Sequence, residues 1–174
     1  MPRRSKSKYL GVWMNAERVG TWNIDAQGRH EFRYDPAWVN AEDARPMSLS
    51  MPLQPPEAPY RGPVVESFFE NLLPDSADIR RRVQTRFGAA STSAFDLLVE
   101  IGRDCVGAIQ LLPPAQPPEN VKQIDAEPLD EEAVADILRS TTSSAPLGQR
   151  DDESFRISHP GAQEKTALLW HEQQ

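Results

Sequence analysis

The stretch richest in chemistry lies between Phe155 and Leu169, FRISHPGAQEKTALL. Phe155 and Ile157, then Ala167 and Leu169, place apolar side chains at period two on either side of a polar run. That pattern predicts strand, tight loop, strand. Gly161 lets a backbone approach a ligand with no Cβ in the way. Inward-pointing loop N–H groups can cradle an anion such as phosphate. Lys165 adds a movable positive charge, and Ser158 and Thr166 add hydroxyls. Residue types alone leave two readings open, a plain hairpin connection and a phosphate loop, because a single glycine is neither a Walker loop nor a GxGxxG.

Other chemistry is sparse. His30, His159 and His171 show no metal-ligand spacing among themselves or with Cys105. No nucleophile–base pair follows from spacing. Asp75 with Asp78, and Asp151 with Asp152, sit where caps or loops are expected. Arg80, Arg81, Arg82 and Arg86 crowd one predicted helix. A solvated face explains them more simply than a phosphate or carboxylate partner.

The elements that position these residues are legible from periodicity. Leu10, Val12 and Met14 alternate, as do Phe32 and Tyr34, with Val19, Trp22 and Ile24 between them. Turns are marked by Asn15-Ala16-Glu17 and by Asp25-Ala26-Gln27-Gly28, where Gly28 supplies a positive φ. Met47 to Met51 alternates and reads as a further strand. Gln54 to Pro63 holds four prolines and reads as a loop. At Pro63 the apolar period changes to about 3.6. Helices are predicted over Val64–Leu73, Ala77–Phe87 with Asp75 or Ser76 as cap, and Ala94–Ile101 capped within Ser91–Ser93. Phe95, Leu98 and Val99 are the expected inner face of the last. A strand over Gly107–Leu112 ends at Pro113-Pro114, the best internal boundary. Asp130 then caps a short acidic helix, Glu131–Arg139, whose inner side is Val134, Ile137 and Leu138. Successive hairpins with one apolar face predict a small barrel or sandwich. Trp13, Trp22 and Trp38 are expected to pack rather than serve as stacking platforms.

At 174 residues, with 39% apolar content and 7% aromatics, the chain can bury a real core. A net charge of −7 argues against coating nucleic acid directly. The lone Cys105 excludes an internal disulfide framework and suits a reducing cytoplasm. No apolar run approaches the roughly 20 residues of a membrane span. The basic start, Pro2 to Lys8, has no signal-peptide apolar core behind it and reads as a solvated terminus.

The letters add what spacing cannot. RIS..GAQEKTALL resembles the ATP-phosphate loop of the HipA family, the serine/threonine kinase toxins of bacterial toxin–antitoxin pairs. The resemblance continues through WMN..RVG, RPMSLSMPL, FFENLLPDS and EIGRDCVGAIQLLP, along essentially the whole chain. It implies an α+β fold: a small antiparallel β-barrel-like subdomain with packed helices over 8–113. The start of a kinase-like N-terminal lobe then follows over 114–174, as linker, short helix and phosphate-loop hairpin.

By the same resemblance, Pro160, Gly161, Ala162, Gln163, Glu164 and Lys165 contact the phosphates of ATP. Ser158 is the autophosphorylated residue, whose modification displaces the loop and switches the kinase off. A phosphoserine carries close to two negative charges, so the switch is physically reasonable. Family loops place a small aliphatic pair where this chain has His159-Pro160, and proline removes one backbone donor there.

The implied cofactors are ATP and Mg²⁺ in the complete protein, with none expected on this chain alone. The implied partners are a HipB-like DNA-binding antitoxin, DNA only through that antitoxin, and the remainder of the kinase, with no membrane. The whole protein would phosphorylate a translation factor such as an aminoacyl-tRNA synthetase. Phosphoryl transfer also needs a later lysine, a catalytic Asp and metal-holding residues. These are expected outside this chain, which therefore has no catalytic residue or metal site of its own. The alternative is a free-standing regulatory module that docks on a separate kinase chain or an antitoxin.

Overall fold

The computed structural model describes residues 8–105, 107–118, 128–142, 168 and 170. Two tight hairpins begin the fold. β1 (Lys8–Met14) and β2 (Glu17–Ile24) pair antiparallel. Asn15 and Ala16 join them with φ of 51° and 71°, the mirror-image turn that matches strand twist. β3 (His30–Tyr34) pairs with β2. In the turn between them Asp25 accepts from the N–H groups of Gln27 and Arg29, and Gly28 takes the expected positive φ, 79°.

A two-residue strand, β4 (Tyr60–Arg61), adds to β3, and β5 (Ile109–Leu112) adds to β1. The sheet order is β4-β3-β2-β1-β5, wholly antiparallel. β4 and β5 are separate edges, so the sheet is open and the expected barrel-like closure is corrected. The cause lies at the β4 edge. Two residues after entering the sheet, the chain turns at Gly62 and starts α2 (Pro63–Glu70), and helices rather than a curled sheet cover the apolar face.

That face carries Leu10, Val12, Trp22, Phe32 and Tyr34, all buried, while Tyr9 and Arg33 turn to solvent. Against it pack Val65 and Phe69 of α2 and Phe95 of α4 (Ala94–Ile101). Phe69 stacks on Trp22 with ring centroids 3.8 Å apart and planes 8° from parallel. Gly20 lies in the middle of β2, where a Cβ would come within 2.3 Å of the Arg33 carbonyl and 2.8 Å of the Phe32 ring. Gly20→Ala is therefore expected to cost about 1–3 kcal/mol, read as a lowered midpoint in urea unfolding.

The helix signals operate locally. α3 (Ala77–Phe87) starts where Ser76 Oγ accepts from the Ile79 N–H, and ends at Gly88 in the left-handed conformation. α4 starts where Ser93 Oγ accepts from the Asp96 N–H. A short 3₁₀ turn, Gly102–Asp104, follows it. α5 (Glu131–Thr142) is capped by Asp130, whose carboxylate accepts from the Ala133 N–H. It runs three residues past the expected end, and Leu138 is exposed rather than inward.

Several expectations are corrected. Met47–Met51 is not a strand but a turn bridged only at Ser48 and Met51. Buried Tyr34 Oη accepts from the Met47 N–H at 2.9 Å and donates to the Met51 carbonyl at 2.6 Å, so both methionines point inward while Leu49 is left in solvent. Pro36–Val39, between the predicted strands, forms a single helical turn, α1. Asp35 caps it, Pro36 occupies its first turn, and Trp38 is buried with its indole N–H donating to the Arg45 carbonyl. α2 stops at Glu70, short of Leu73, because the N–H groups of Leu72 and Leu73 turn back three residues to Phe69 and Glu70. On α4, Phe95 and Leu98 are buried as expected, but Val99 is exposed and Leu97 is buried in addition. Trp22 and Trp38 pack in the core as expected, whereas Trp13 is half-buried.

Candidate functional site

Ser158 and the loop Pro160, Gly161, Ala162, Gln163, Glu164 and Lys165 lie outside the described residues, as do His159, His171, Asp151 and Asp152. The described part shows what the remaining chemical groups do.

Charged and hydroxyl groups gather where β1 begins beside the start of α4. The Lys8 ammonium lies 2.5 Å from Asp96 Oδ1 and 5.8 Å from the Phe95 ring centroid. Ser91 Oγ donates to Asp96 Oδ2 at 2.7 Å. A shallow concavity opens here, with Asp25 and His30 to one side and Tyr9, Val99 and Pro114 to the other. Two ion pairs lie within it. Lys8 neutralises Asp96, and Asp25 pairs with Arg29 at 2.6 Å. The Lys8–Asp96 pair fastens the first strand to a helix.

Burial pushes the Asp96 carboxyl up, but hydrogen bonds from Lys8 and Ser91 and the Lys8 charge outweigh it, so the carboxyl titrates below its usual range. A depressed folded-state value contributes stability that is present above the unfolded value, about 3.9, and lost as pH falls through the folded one. Asp96→Asn should therefore lower stability by a constant amount above about pH 5, and the gap from the parent should shrink on acidification below about pH 4. Urea titrations at a series of pH values read this. A gap independent of pH would show that ionised Asp96 adds nothing.

The arginine run divides. Arg80 donates to Glu70 Oε2 at 2.6 Å and to the Pro74 carbonyl at 2.7 Å, tying α3 to the end of α2. Arg81 pairs with Asp78 on the exposed side of α3. The carboxylate pair Asp75–Asp78 supplies no cap, that role falling to Ser76. Burial, reinforced by the Asp104 charge, pushes the Cys105 thiol up to about 12, and its Sγ donates to the Gly102 carbonyl at 3.3 Å. It is a packed thiol, not a nucleophile. Among the described residues no group of three His, Cys, Asp or Glu side chains could hold a metal ion, and no helix is long and apolar enough to cross a membrane.

The family model of the HipA N-terminal domain matches residues 10–112. The chain belongs to the HipA N-terminal domain family. The matched span runs from Leu10 in β1 to Leu112, the last residue of β5, so the family unit is the open sheet with α1–α4 on it.

Two proteins of Sinorhizobium fredii, provisionally named kinases, are similar in sequence. Y4mE is 32% identical over 165 residues, 93% of this chain. Y4dM is 32% identical over 138 residues, 75% of it. The chain spans only 38% and 31% of their respective lengths. A chain of the Shewanella oneidensis MR-1 toxin–antitoxin complex of HipA, HipB and operator DNA shares the fold. Its TM-score is 0.57 at 21% identity, over 83% of this chain and 32% of that one.

Proposed function

We propose that this HipA N-terminal domain and the segment after it form the N-terminal portion of a HipA-like serine/threonine kinase of a toxin–antitoxin system. In this reading 114–174 begins a kinase-like lobe, and Pro160–Lys165 embraces the phosphates of ATP. Gly161 offers close backbone approach and Lys165 a countercharge, while Pro160 contributes no N–H. Ser158, just before the loop, is the residue whose phosphorylation turns the kinase off.

The observation that carries the reading is the reach of the likeness to Y4mE. It leaves only about 12 residues of this chain outside it, so it continues past the domain boundary at 112 and through Ser158. Y4mE bears a kinase name, and a HipA-like protein with a phosphate loop in that segment accounts for the name and the letters together.

Magnesium would be held by the metal-binding residues that phosphoryl transfer requires alongside a later lysine and a catalytic Asp. The reading extends to a HipB-like antitoxin as partner, with DNA reached through it. The complex of HipA, HipB and operator DNA that shares this fold supports that extension. A translation factor such as an aminoacyl-tRNA synthetase is the target it implies.

Phosphosite mapping tests the reading. The complete product of the reading frame that contains this chain, incubated with ATP and magnesium, is expected to carry phosphate on Ser158. The 174-residue chain incubated alone is expected to carry none. Phosphate on Ser158 of the isolated chain, or none on the complete product, overturns it.

A further inference from the structure

No further inference is drawn: the strongest candidate, the shallow concavity between the start of β1 and α4 lined by Lys8, Tyr9, Phe95, Asp96, Val99 and Glu100, carries nothing, because Lys8 and Asp96 pair with each other and nothing in the structure shows what covers its apolar side.

Discussion

Replacing Phe69 by Ala is expected to lower the unfolding free energy by about 3–5 kcal/mol. The ring is fully buried and sits where α2 meets the sheet. It stacks on Trp22 at 3.8 Å and meets the edges of Phe68 at 5.2 Å and Phe32 at 6.5 Å. Removing it strips the apolar transfer energy and leaves a void that the surroundings cannot close. Trp22 and Phe32 are directly paired across β2 and β3, which fixes their backbones and limits how far either ring can move in. Val65 and Leu73, on either side along the chain, are themselves fully packed. Phe68, one residue away, is only half-buried, and its truncation is expected to cost clearly less. Urea unfolding of the two single variants reads the contrast. Equal midpoints for Phe69→Ala and the parent would show that α2 is not part of the core.

Much of the fold was legible because its signals are local. Leu10, Val12 and Met14 alternate in sequence and are buried together. Ser76, Gly88 and Ser93 bound their helices because a cap acts within three or four residues. Misreadings arose where distant contacts decide. Met47 and Met51 alternate like a strand, yet the Tyr34 hydroxyl, 13 and 17 residues away, gathers them into a turn. β4 is too short for any period to show, and it lies among prolines. Sheet closure depends on what those two residues do next, and no window of sequence contains that. On α4 Phe95 and Leu98 face inward as read, but the helix is packed by α2 and α3 as well as by β5 and the 3₁₀ turn, and this contact arc takes in Leu97 and leaves out Val99. The candidate loop is the opposite case. One glycine and one lysine carry too little pattern to distinguish a hairpin from a phosphate cradle, and the proposal of a cradle rests on resemblance in the longer string of letters.

Ser158→Asp is expected to weaken ATP binding by about a hundredfold in the complete protein. The argument is electrostatic. In the proposed arrangement position 158 leads into the loop that receives the phosphates, and a carboxylate there places fixed negative charge beside negative charge. Two like charges about 5 Å apart repel by about 3 kcal/mol at an effective dielectric of about 20, and a hundredfold in affinity is about 2.7 kcal/mol. Ser158→Ala removes the hydroxyl without adding charge, so it should bind nucleotide nearly as the unphosphorylated parent does. That pair separates charge from disruption of the loop. Isothermal calorimetry of ATP against the complete product of this reading frame, with the Asp and Ala variants alongside, is the most direct measurement of whether Ser158 stands at a phosphate site. Nucleotide binding by the parent and the Ala variant with a roughly hundredfold loss in the Asp variant is the predicted result; equal affinity in all three would contradict it.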